Sequence, residues 1–126
     1  MPARYTFSGN LFSIVLEDTY NPEEIIEAFT TALNDPLFPE NARFLLDVRK
    51  SSILEKRSSE DIRIVSEFFA KHSDRVDGRC AIVASKPVHY GLSRMGAIFS
   101  DLEGATVEVF ENVSEAVSWL EADEDV

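Results

Sequence analysis

Five consecutive small or apolar residues, Cys80-Ala81-Ile82-Val83-Ala84, constrain this chain more than any other stretch. A strand wet on one face alternates polar and apolar residues, so an unbroken apolar run predicts a strand covered on both faces, as in a parallel sheet. The turn Ser85-Lys86-Pro87-Val88 and a helix opening His89-Tyr90-Gly91-Leu92-Ser93-Arg94-Met95 follow it. Loops at the carboxyl ends of parallel strands carry whatever site such a sheet has. The aromatic, glycine and arginine just beyond this strand are therefore the first surface to suspect.

The rest of the chain reads as further strand-helix units. Tyr5-Thr6-Phe7 and Leu11-Phe12-Ser13-Ile14-Val15-Leu16 flank Ser8-Gly9-Asn10, which predicts an antiparallel hairpin. Asn21 and Pro22 open a helix with Glu23 and Glu24 at its positive end, and Ile25, Ile26, Phe29, Ala32 and Leu33 form its buried stripe up to Asn34-Asp35-Pro36. Arg43-Phe44-Leu45-Leu46-Asp47-Val48 is a second interior strand. Arg49-Lys50-Ser51-Ser52-Ile53-Leu54-Glu55-Lys56-Arg57 has no clean period and reads as a basic loop. Ser58 or Ser59 then caps a second helix with Ile62, Val65, Phe68 and Phe69 inward. Leu92, Met95, Phe99 and Leu102 are the stripe of a third. Thr106-Val107-Glu108-Val109-Phe110 alternates as an edge strand does, and Asn112 with Glu115 makes a capping box for the last helix.

The predicted fold is α/β: an N-terminal antiparallel hairpin followed by four strand-helix units, giving a mostly parallel five-stranded sheet with helices chiefly on one face. Residues 1–120 form one domain and 121–126 an acidic tail. Right-handed crossovers between strands in sequential order put every helix on the same side. The opposite face must then be polar, covered by a segment or covered by a partner, which is the physical reason to expect a homo-oligomer.

Composition narrows the partners. Twelve basic against 23 acidic residues give a formal charge of −11, a field that repels phosphate backbones and anionic lipid heads. Neither nucleic acid nor membrane insertion is expected. One cysteine, no signal-peptide pattern and no long apolar run indicate a cytoplasmic protein. Cys80 opens a buried strand and packs as a small hydrophobe.

No catalytic constellation, cofactor site or metal-ligand spacing emerges, and the expectation is a protein that is not an enzyme. His72 suits a helix C-terminus and His89 a capping or solvent-facing position. Asp47, at a strand end, fastens the loop that follows. The candidate site for a partner or ligand is Tyr90, Gly91 and Arg94, with Arg49, Lys50 and Arg57 from the basic stretch. Tyr90 and Arg94 share a helix face, Gly91 permits close backbone approach, and Arg94 either takes a carboxylate from outside or ties its helix to Asp47.

The order of elements, with Phe44-Leu45-Leu46-Asp47-Val48, Arg79-Cys80-Ala81-Ile82-Val83, Tyr90-Gly91-Leu92-Ser93-Arg94-Met95, Val107-Glu108-Val109-Phe110 and Glu115-Ala116-Val117-Ser118-Trp119-Leu120, resembles an uncharacterised bacterial branch of the SpoIIAA-like proteins. These belong with the STAS domains, whose best-known members are anti-sigma-factor antagonists, and are similar in fold to the lipid-binding CRAL-TRIO domains. The resemblance implies a non-enzymatic protein-interaction or regulatory domain. The alternative it implies is a carrier or sensor of a small apolar or anionic ligand. In phosphorylation-switched relatives a serine at the start of the second helix accepts phosphate. The corresponding stretch here is Arg57-Ser58-Ser59-Glu60, which keeps Ser58 and Ser59 as possible acceptors but lacks the preceding acidic residue and following glycine of that motif.

Overall fold

The computed structural model describes residues 3–18, 21–51, 59–85, 91, 94 and 105–122. Its elements in chain order are β1 (Ala3–Ser8), β2 (Leu11–Asp18), α1 (Pro22–Leu33), β3 (Arg43–Ser51), α2 (Ser59–His72), a 3-10 turn (Ser73–Val76), β4 (Arg79–Val83), β5 (Thr106–Phe110) and α3 (Val113–Glu121). One sheet carries the strands in the order β1-β2-β3-β4-β5. The β1–β2 pair is antiparallel and the other three pairs are parallel.

Local chemistry sets the boundaries. Gly9 turns the hairpin with a φ of 61°, a conformation open to glycine at little cost. Asn21 and Pro22 start α1, and the Asn21 N–H donates to Glu24 Oε1 at 3.1 Å. Asn112 Oδ1 accepts from the Glu115 N–H at 2.9 Å, the N-cap expected for α3, but the return bond to Glu115 Oε1 at 3.1 Å comes from the Asn112 side-chain Nδ2 and not from its backbone N–H, so the predicted capping box is only half formed. Before β4 the chain reverses through Asp77 and Gly78, at φ 60° and 70°. All five residues of β4 are buried, and β4 lies between β3 and β5, as the unbroken apolar run required.

The strand expected to stop at Val48 runs on to Ser51. The pairing of β2 with β3 shifts register after Val15 and resumes as Glu17 opposite Lys50 and Asp18 opposite Ser51. The first residues of the basic stretch are therefore strand. An adjacent strand supplies hydrogen-bond partners that no local periodicity reveals.

Alternation along the strands sends two sets of residues to opposite faces. Phe12, Ile14 and Leu16 of β2, Phe44 and Val48 of β3, and Cys80 and Ile82 of β4 meet Ile25, Ala28, Phe29 and Ala32 of α1 and Phe69 of α2. On the other face Leu45, Ala81 and Val83 meet Ala116 and Leu120 of α3. Helices α1 and α2 thus share a face, but α3 does not join them. Helices α1 and α2 each connect parallel neighbours, so crossover handedness fixes their side. No strand follows α3 among the described residues, so that rule does not reach it.

The face expected to lie open is therefore closed from within. Over β3, β4 and β5 it is covered by α3; over β1 and β2 it mixes Thr6 opposite Ser13 and an Arg4–Glu17 ion pair with half-buried Leu11, which packs against the α3-side cluster, and half-buried Val15. The open-face argument for a homo-oligomer loses its premise. Among the described residues no helix is long and apolar enough to cross a membrane.

Candidate functional site

The carboxyl end of β3 gathers the charged groups. Asp47 and Arg49 are two apart on a strand, so both project to the α3 face. Asp47 sits in register between Val15 of β2 and Val83 of β4 and is only 7% exposed. A carboxylate flanked by apolar side chains needs compensation. Arg49 supplies it three times: Nε donates to Oδ1 at 3.0 Å, Nη2 to Oδ2 at 2.8 Å, and the backbone N–H to Oδ1 at 3.0 Å. Burial pushes the Asp47 carboxyl up, but the hydrogen bonds and charge of Arg49, with Lys50 nearby, outweigh it and hold the carboxyl below its ordinary range. The bond to Asp47 raises Arg49 in turn. Asp47 thus fastens the chain beyond it, as the sequence suggested, by a bidentate pair.

This pairing redistributes the candidate site. Arg49 is committed to Asp47, although its side chain keeps 39% exposure, and Lys50 is exposed beside it. Gly91 and Arg94 are helical and exposed. Among the described residues no hydrogen bond or ion pair joins Arg94 to Asp47, whose partner is Arg49. A Cβ built at Gly91 meets nothing within 4 Å, so among the described residues no packing contact depends on its missing side chain. Tyr90, Arg57, Ser58 and His89 lie outside the described residues, and Ser59 is the first residue of α2. The structure thus places Arg49 and Lys50 side by side.

Other reactive groups are engaged in packing. Burial pushes the Cys80 thiol far up, away from the reactive thiolate. His72 ends α2 with its ring 4.5 Å from that of Phe68. Among the described residues no group of three or more His, Cys, Asp or Glu is placed to hold a metal ion. An apolar cavity of about 70 Å³ lies between the sheet, α1 and α2, bordered by Phe29, Phe44, Phe69, Cys80 and Ile82.

Sequence reasoning passed over Arg79, which dominates the amino end of the sheet. Only 4% exposed, it donates from Nη1 to the carbonyls of Trp119 and Ala122 at 3.3 Å each, and from Nη2 to that of Leu120 at 3.2 Å. Its guanidinium lies 5.4 Å from the Trp119 ring centroid. Asp77 accepts from Arg79 at 3.1 Å and also pairs with Arg43. A cation over the last carbonyls of a helix satisfies orphan acceptors and the negative end of the dipole. The available signal was an arginine opening a strand otherwise apolar throughout.

Comparison with known proteins adds the fold. The chain is similar over 94% of its length, and over 91% of the other chain, to the crystal structure of an uncharacterised DUF3478-family protein with a SpoIIAA-like fold from Shewanella loihica PV-4, at a TM-score of 0.59 and 15% identity. No protein-family model matches the sequence, and no curated protein does. The fold is SpoIIAA-like.

Proposed function

We propose that this SpoIIAA-like domain is a non-enzymatic, cytoplasmic protein-interaction or regulatory module, of the kind the anti-sigma-factor antagonists exemplify. The observation that carries the reading is the closed state of Asp47. It is a carboxylate at the end of the sheet where a parallel fold keeps its chemistry, yet three hydrogen bonds hold it ionised and occupied. Although Glu17 lies in register beside Lys50, Lys50 and the exposed part of Arg49 offer cationic groups here, and Arg94 is an exposed cation on the helix beyond β4. In a chain of net charge −11, such groups suit an acidic protein surface.

The apolar cavity of about 70 Å³ between the sheet, α1 and α2 is far below the few hundred Å³ that a drug-sized ligand fills, so that cavity lends the carrier reading no support. Self-association stands on a changed footing, because with the α3 face covered, a sheet edge rather than an open face would join two copies. A monomer mass by light scattering at high concentration removes it.

The test is co-purification from the native host of wild-type chain and a Lys50→Glu, Arg94→Glu variant. A stoichiometric protein partner held by wild type and lost from the folded variant is expected. Equal capture by both, or a bound small molecule in native mass spectra, overturns the proposal.

A further inference from the structure

β1 is an edge strand, and α1 runs beside its outer margin. Between them lies a groove of about 330 Å³, walled by Ala3 and Tyr5 on β1 and by Glu24, Glu27, Ala28 and Thr31 on α1. Ala3 and Ala28 are 3% and 5% exposed. Small side chains where helix and strand meet leave the space above the strand edge unfilled.

The backbone of that edge is also available. Ser8 and Leu11 face each other across the two-residue turn. Alternation in an antiparallel ladder then gives Ser8, Thr6 and Arg4 the hydrogen bonds to β2 and turns the N–H and C=O groups of Ala3, Tyr5 and Phe7 outward. Among the described residues no strand pairs with that side. The side chains of these three residues point to the α1/α2 face, so a strand added here sets alternate side chains along α1.

Charge selects the occupant. Glu27 is exposed and Glu24 half-buried along the groove. Arg4 borders it too, but is ion-paired with Glu17 on the far face. A second copy would bring its own Glu24 and Glu27, and a charge of −11, against the same groups. We propose that the β1–α1 groove binds an extended segment of a partner protein with Lys or Arg at alternate positions, which joins the sheet as a sixth strand. This surface is separate from the cationic end of β3 and opposite in sign, so neither proposal depends on the other.

The probe is the synthetic peptide acetyl-Lys-Thr-Lys-Val-Lys-Thr-Lys-amide, titrated into the isotope-labelled full chain and followed by amide NMR, with the Glu-for-Lys peptide as control. Expected are shifts concentrated in β1 and α1, slowed amide exchange at Ala3, Tyr5 and Phe7, and no binding of the acidic peptide. Glu27→Lys should weaken binding by about tenfold with an unchanged melting temperature. Shifts centred elsewhere, equal binding of both peptides, or no binding at millimolar peptide overturn the proposal. So does a free chain of dimer mass whose β1 amides are already protected, because a second copy is then the occupant.

Discussion

On the α1/α2 face the sheet is packed with rings: Phe12 stacks on Phe44 at 4.9 Å, meets Phe29 at 5.4 Å and Phe38 at 5.5 Å, and Phe44 reaches Phe69 at 5.7 Å. On the α3 face the buried cluster is Leu45, Ala81, Val83, Ala116 and Leu120, and a polar contact from Arg79 secures the far end of the helix. The same central strands serve both. One face is stabilised mainly by aromatic burial and held in place by covalent crossovers, while the other depends on a short terminal helix fixed by one buried cation. This contrast predicts that the α3 face opens while the rest of the domain stays folded.

Four experiments break or sharpen that contrast. Phe12→Ala should have the largest effect, about 3–5 kcal/mol in urea denaturation, because it leaves a cavity among five rings. A loss under ~1 kcal/mol would mean the aromatic cluster is not the dominant core. Leu120→Ala should cost less, about 2–3 kcal/mol at the lower end for such truncations, since the cluster it leaves is small.

Arg79→Met should cost about 1–3 kcal/mol by leaving helix-end carbonyls without donors. Trp119 is the chain's one tryptophan, so its fluorescence should report loss of α3 at lower urea than far-ultraviolet circular dichroism reports loss of the sheet. Coincident transitions would show that the two faces unfold together.

Asp47→Asn should have the smallest effect at neutral pH relative to its effect on the pH profile. The folded carboxyl titrates below its ordinary value of 3.8. Its stabilising contribution is therefore complete above that value and is lost as pH falls through the lower folded one. The wild type should lose stability below about pH 4 more steeply than the variant in thermal melts across acid pH. Parallel profiles would show that the Asp47–Arg49 pair contributes nothing to acid stability.

Much of the fold was legible because it rests on local signals. The hairpin at Gly9, the two asparagine caps, the unbroken run through Cys80 and the alternation of β5 each involve residues within a few positions of one another. The site was legible only in part. Arg49 and Lys50 could be picked out as cations, but the sequence suggested Arg94 as the tie to Asp47, and it is the continuation of β3 through the basic stretch that sets the Arg49 guanidinium on both carboxylate oxygens. Arg79 was missed because its partners are carbonyls some forty residues later in the chain, and backbone acceptors leave no mark in a residue pattern.

The sequence by itself determined which segments are strands and helices, the parallel order of the interior strands and the side taken by α1 and α2, since periodicity, capping and crossover handedness act along a contiguous chain. Only the tertiary structure decided where α3 goes, that its placement covers β3, β4 and β5 on the second face, and which carbonyls Arg79 meets. Those outcomes depend on groups distant in sequence meeting in space, where burial makes an unpaired charge or an uncovered apolar strip too costly to leave.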